Sequence, residues 1–234
     1  MALQMMQFFQ LTVKPWLVNF RSLVTATRSI ISVITFLLLT GLIHSQAFAQ
    51  SADASTPDGL VKFVVNDVMT AAKADKDIQA GNIPKIFILI EQKIVPYFDL
   101  QKTAQLAMGR NWKDATPEQQ KLVSTEFKTL LIRTYAGALS QVRDQTVIYR
   151  PFRASPEDNE VVVRTQIINK GDPISLDYRL EKTPNGWRVF DINVLGAWLI
   201  EAYRGQFNNQ INQNGIDGLI KFLQDRNAAL AKAK

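Results

Sequence analysis

The sequence predicts an α+β fold, with about six helices packed on a curved, four-stranded antiparallel sheet. Three observations carry this. Apolar residues recur at helical spacing from Leu60 to Leu139. From Gln145 to Val194 the period becomes two, and after Gly196 helical spacing returns. Helices, then a meander, then helices is the order of a layered α+β domain. The predicted sheet has one strongly apolar face. Either helices cover it as ordinary core, or helices and sheet enclose an apolar cavity. Periodicity does not separate the two.

The chain has 234 residues, but its start does not read as fold. Residues 1–49 carry Lys14, Arg21 and Arg28 and no acid, then the apolar run IISVITFLLLTGLI (30–43) and Ala47-Phe48-Ala49. A basic segment, a short apolar segment and an A-x-A site describe a secretory signal peptide. The run is short of the ~20 apolar residues a spanning helix needs. Cleavage after Ala49 leaves 185 residues, enough for one domain that buries roughly 70% of its chain surface. Residues 50–55 form a polar linker, and 56–234 the domain. Three basic residues leave with the leader, so the net charge falls from +6 to +3. No basic stripe interleaved with aromatics remains, which argues against nucleic acid.

Helical signals come first. Thr56-Pro57-Asp58 reads as cap, first-turn proline and first-turn acid. Leu60, Val64, Val68 and Ala72 follow on one stripe, and Gly81-Asn82 closes the element. Ile83 to Val95 is a second helix, and Asp99 caps a third that runs to about Gly109. Thr116-Pro117-Glu118-Gln119 is a capping box with a first-turn proline and opens the fourth. Val123, Phe127, Leu130, Leu131, Thr134 and Ala138 form its main stripe, which Tyr135 and Leu139 widen. A stripe that wide faces more than one neighbour.

The strands read as 145–152, 160–168, 174–182 and 187–194. Val161, Val163, Thr165 and Ile167 share a face of the second; Ile174, Leu176, Tyr178 and Leu180 share a face of the third. A hairpin through Lys170-Gly171-Asp172 matches these faces. For the next hairpin, Pro184-Asn185-Gly186 suits a three-residue loop ending in a left-handed glycine. It sets Leu180 opposite Phe190, Tyr178 opposite Ile192, Leu176 opposite Val194 and Arg179 opposite Asp191. A one-residue slip would place Tyr178 opposite Asp191 and is rejected. Helices over about 196–209 and 215–231 complete the chain.

Cysteine is absent, and the one histidine, His44, lies in the leader. Beyond residue 49, Ser-His and Cys-His nucleophiles and the usual zinc sites are therefore excluded. No cofactor motif is present. Carboxylate and tyrosine chemistry survives: Asp177, Asp191 and Tyr178 describe an acid–base site of the kind a small steroid-isomerase-like cone would hold. In the expected register both acids lie on the polar face, where burial would not shift their titration, and Arg179 gives Asp191 an ordinary partner. Trp198, Tyr203 and Phe207 read as core aromatics or ligand contacts. Lys113, Lys121 and Lys128 read as a solvated face.

Two stretches carry a further signal. PYFDLQKTAQLAMGRNWKDATPEQQKLVSTEFKTLLIRTYAGAL (96–139) resembles the MlaC family, also called the toluene-tolerance family. So do NGWRVFDINVLGAWLIEAYRGQF (185–207) and NGIDGLIKFL (214–223). The likeness covers roughly 96–225. It implies a nuclear-transport-factor-2-like cone that holds the acyl chains of a phospholipid, without cofactor or hydrolysis. It implies a periplasmic location and two partners: an inner-membrane ABC lipid transporter with an MCE-type ring subunit, and an outer-membrane lipoprotein–porin complex. The chain departs from the family at the strand-to-helix junction, where the family's acid is Leu195 and its small polar residue is Trp198. For such a ligand the expected lining is Val163, Ile167, Leu176, Tyr178, Phe190, Ile192 and Val194 from the sheet. Leu131, Tyr135, Trp198 and Ala202 would join them from the helices, with the headgroup at the mouth in water. A periplasmic adaptor with a filled core and a histidine-free isomerase or lyase are the alternatives.

Overall fold

The computed structural model describes residues 53–169, 171 and 173–232. The expected signal peptide, most of the 50–55 linker and part of the 170–172 hairpin lie outside them. Among the described residues, no helix is long and apolar enough to cross a membrane.

Among the described residues, six α-helices and a five-stranded antiparallel meander make up the fold. Helix α1 (Pro57–Ala74) starts as its sequence dictates: the Thr56 hydroxyl accepts from Gly59 N at 3.2 Å, and Asp58 pairs with Lys62 one turn on. It does not run to Gly81. Asp75 leaves the helical conformation, and its carboxylate caps a separate short turn, α2 (Lys76–Gln79). Asn82 caps α3 (Ile83–Lys93), and Asp99 caps α4 (Leu100–Met108). The Thr116–Gln119 capping box is fully formed and opens α5 (Pro117–Ser140). The buried face of α5 is Val123, Phe127, Leu130, Ile132 and Ala136, so the expected stripe is rotated toward Ile132 and Ala136, while Thr134 and Ala138 are exposed.

The strands are β1 (Thr146–Tyr149), β2 (Glu160–Ile168), β3 (Ile174–Thr183), β4 (Gly186–Val194) and β5 (Ala197–Trp198), paired in chain order. Strand β5 has no counterpart in the expected four. It is why α6 (Leu199–Lys232) starts at Leu199 and not at 196. Helix α6 breaks at Gly215 (φ 69°, ψ −174°), which separates the two expected C-terminal helices. A side chain at Gly218 would sit 2.2 Å from the Asn214 Cβ, so the NGIDG stretch needs its second glycine for space.

The β3–β4 register corrects one expected pair. Thr183 pairs with Gly186 across a two-residue loop, which sets Leu180 opposite Val189. The ladder then slips between Arg179 and Leu180, leaving Phe190 as the bulged residue. Beyond the slip the expected pairs hold: Arg179 with Asp191, Tyr178 with Ile192 and Leu176 with Val194. A two-residue loop plus one bulged residue uses the same number of residues as a three-residue loop, so both lead to the same downstream register.

Three apolar clusters hold the domain. One is purely helical, from α4, α5, α6 and the turn at Trp112, with Phe127 edge-on to both Tyr203 and Phe207 at 4.9 Å. A second joins the later half of α1 to α2, α3 and the end of α5. The third joins Leu60 and Val61 of α1 to the apolar face of the sheet.

Candidate functional site

Strand alternation places Val161, Val163, Thr165 and Ile167 of β2 on one face, opposite Leu180, Tyr178, Leu176 and Ile174 of β3. Val189, Ile192 and Val194 of β4 continue that face. Its burial is uneven along the strands. At one end, Val161, Val163, Tyr178, Leu180 and Val189 are buried beneath Leu60 and Val61, with Tyr97, Phe98 and Phe152 packed around them. At the other end, Ile167, Ile174, Leu176, Ile192 and Val194 are only half-buried. Thr165 marks the boundary: it is 1% exposed and its hydroxyl donates to Leu176 O at 2.6 Å. The apolar face is therefore sealed at one end and open at the other.

Two surface grooves lie elsewhere. One of about 590 Å³ runs between the start of α3, Arg133 and Leu230. Another of about 390 Å³ lies beside Lys102 and Glu181. Neither is lined by residues of the apolar sheet face. Five aliphatic side chains left half-covered on adjoining strands are the stronger candidate, because that apolar surface gains most from a ligand.

The structure places six of the eleven expected lining residues on the apolar face, divided between its two halves. Val163 and Tyr178 lie in the sealed half as core. Leu176, Ile192, Ile167 and Val194 form the open half. Phe190 is corrected: as the bulged residue it leaves the apolar ladder, is 2% exposed, and packs with the Lys102 ammonium 4.1 Å from its ring centre. Trp198 is corrected too. It pairs with Asn193, on the opposite face, and the Arg179 guanidinium stacks 3.9 Å from its ring centre. On the helical side, Leu131 packs on the helical cluster and Ala202 is exposed. Tyr135 is 38% exposed, yet burial pushes its hydroxyl up to about 12, with Tyr203 nearby adding to the rise.

The polar face holds a residue whose environment the pattern did not reveal. Asp191 is fully buried, not exposed. Desolvation raises its carboxyl above the usual range, against hydrogen bonds from Ile200 N and Ile192 N and the charge of Arg179. Oδ1 accepts from Ile192 N at 2.9 Å and Ile200 N at 3.1 Å; Oδ2 accepts from Arg179 Nη1 at 3.1 Å. Arg179 also reaches Glu201 at 3.7 Å. A strand carboxylate thus caps the first turn of α6 and fixes that helix to the sheet. Both oxygens are engaged by protein donors, an arrangement suited to holding α6 rather than to moving a substrate proton. The alternative acid–base site of Asp177, Asp191 and Tyr178 is not assembled: as strand alternation predicts, Tyr178 lies on the other face, and its hydroxyl is engaged with Thr165.

The sequence model of the MlaC protein family matches residues 62–225. Toluene tolerance protein ttg2D of Pseudomonas putida is 26% identical over 182 residues, 77% of this chain and 84% of that protein. The intermembrane phospholipid transport system binding protein MlaC of Haemophilus influenzae is 22% identical over 197 residues, 82% of this chain and 90% of that protein. A phospholipid-binding protein of Ralstonia solanacearum, solved in complex with a phospholipid, superposes with a TM-score of 0.73. It is 54% identical, and the match covers 74% of this chain and 98% of that one.

Proposed function

The chain belongs to the MlaC family, and from that membership we propose that it is a phospholipid carrier, not an enzyme, whose acyl chains rest on the open half of the apolar sheet face. The observation that carries this reading is the division of that face. Ile167, Ile174, Leu176, Ile192 and Val194 are left half-covered, although the same strands are sealed a few residues away. A protein that needed only a core would extend the cover along the whole face, since each buried methylene is worth about 0.8 kcal/mol.

Transfer energetics suit such a surface. Two acyl chains hold about thirty methylenes, and burying them from water would exceed the ~20 kcal/mol ceiling of non-covalent affinity. The lipid comes from a bilayer, however, and leaves one apolar medium for another. The exchange is nearly balanced, so the carrier needs a dry surface and a mouth, not strong net binding. The headgroup stays in water, which gives weak headgroup selectivity. The proposed route runs through the periplasm between an outer-membrane lipoprotein–porin complex and an inner-membrane ABC transporter with an MCE-type ring subunit. The Haemophilus relative's name and the Ralstonia complex support this reading.

The test is organic extraction of gently purified protein followed by mass spectrometry. Diacyl phospholipid near one molecule per chain is expected. Its absence from folded protein would favour an adaptor with no ligand.

A further inference from the structure

The end of the sheet where the apolar face opens is also where the backbone departs from ordinary conformations. Strands β4 and β5 are joined by two residues, Leu195 and Gly196, with Val194 paired to Ala197 across them. Both have positive φ, 53° and 92°. Two such residues in a two-residue hairpin make the tight turn that favours Asn, Asp or Gly at its first position. Leucine has neither the short polar side chain nor the missing Cβ that makes left-handed backbone tolerable. Among the described residues, Leu195 alone combines a side chain with this conformation.

The turn is held firmly. Leu195 N donates to Ser175 O at 3.1 Å, tying it to the start of β3. Gly196 N donates to the Asn193 Oδ1 at 2.8 Å, and Asn193 is 8% exposed. This network does not use the leucine side chain, which is 57% exposed, more than any other large apolar side chain among the described residues. An unfavourable backbone conformation and an unfavourable exposure thus coincide at one position. Backbone strain of this kind, at a residue whose side chain faces solvent, points to a role outside the fold's own packing.

The neighbours say what would meet it. Val194, the preceding residue, pairs with Leu176, and both belong to the open half of the face. Leu195 follows Val194 directly and is anchored through its N–H to Ser175 at the start of β3, so it stands at the end of the sheet where the half-buried residues lie. Leu195, Gly196 and Ala197 carry no charge. The nearby guanidinium of Arg179 is committed to Asp191, Glu201 and Trp198. This is a lip for a hydrocarbon chain, not for a phosphate. We propose that Leu195 is the rim contact over which an acyl chain enters and leaves the open half of the face. The assignment rests on the carrier reading and adds to it the location of the mouth and the residue that lines it.

The experiment compares the protein with its L195N, L195E and L195M variants. Each is followed for thermal unfolding and for transfer of a fluorescent phosphatidylethanolamine between phosphatidylcholine vesicles. Asparagine tolerates the turn, so L195N is expected to melt higher, while removal of the aliphatic contact slows transfer about fivefold, as a loss near 1 kcal/mol would. L195E, which keeps the backbone penalty, is expected to slow transfer similarly, and L195M to restore the wild-type rate. Wild-type transfer by L195N and L195E would overturn the assignment and leave Leu195 as mere turn strain. Equal slowing in all three variants would also overturn it, because methionine keeps the aliphatic contact. If wild-type protein yields no lipid on extraction and transfers none, the carrier reading itself fails, and the rim with it.

Discussion

The carboxylate of Asp191 shows how much one side chain can hold. It supplies acceptors to two backbone N–H groups and to Arg179 from a position with no solvent exposure. Asp191→Ala leaves the Ile200 and Ile192 N–H groups without their acceptor and should cost about 1–3 kcal/mol in denaturant unfolding. Asp191→Asn keeps a carbonyl oxygen for those donors and should cost clearly less. The pH signature follows from the direction of the shift. Desolvation raises the folded carboxyl above its unfolded value near 3.8, so the folded state holds the proton more tightly. That contribution is fully present below 3.8 and is lost as pH rises through the folded value. Asp191 alone thus favours the fold in acid, and Asp191→Asn should reduce that component of the stability–pH profile. Tyrosine shows the same sign at the other end of the scale. Burial pushes Tyr178 well above 10 and Tyr135 to about 12, so stability should fall as pH rises from about 10, and Tyr178→Phe should lessen the fall.

Local chemistry accounts for most of the helix boundaries. The capping box at Thr116 and Gln119 closes in both directions, and Thr116→Ala should cost about 1 kcal/mol, measured by thermal unfolding. The α6 break is set by space as well as by φ. Gly218→Ala forces a Cβ toward the Asn214 Cβ and should cost about 1–3 kcal/mol, a fall of a few degrees in Tm. The capping box and the break between the two C-terminal helices were legible in the sequence; the space requirement at Gly218 was not, because it depends on how closely the turn approaches Asn214. The apolar ladder was legible as well: alternation fixes Tyr178 against Ile192 and Leu176 against Val194. The Phe190 bulge was not, since a shorter loop with a bulge and a longer loop without one share the same downstream register. Nor was β5. Two residues carry no period, and nothing in Leu195 announces a left-handed turn, so Trp198 was assigned to the wrong face. The burial of Asp191 depends on where the first turn of α6 lies, which alternation within β4 does not encode.

At the scale of the molecule, the apolar sheet face has two different covers. Helix α1 seals one end as core, and the other end is the half proposed to hold lipid. Leu176 lies in the open half, so Leu176→Asp should fold with its sealed half intact but lose lipid on extraction. Circular dichroism and mass spectrometry of the same preparation check both points. A folded Leu176→Asp carrying a full complement of lipid would remove this face as the binding surface. Leu60 lies in the sealed half, and Leu60→Ala should instead cost about 2–5 kcal/mol of stability. That contrast would separate a residue that holds the fold from one that contacts the proposed lipid.

The Arg179–Trp198 stack has an optical consequence. Of the described tryptophans, Trp112 is buried in the helical cluster and Trp187 packs against the sealed end of the sheet. Trp198 alone sits at the junction of β5 and α6, half-buried under a guanidinium 3.9 Å away. Any movement of that junction changes the polarity and charge beside its indole. Emission lost on Trp198→Phe would isolate that signal, giving an unlabelled protein its own readout of the joint in real time.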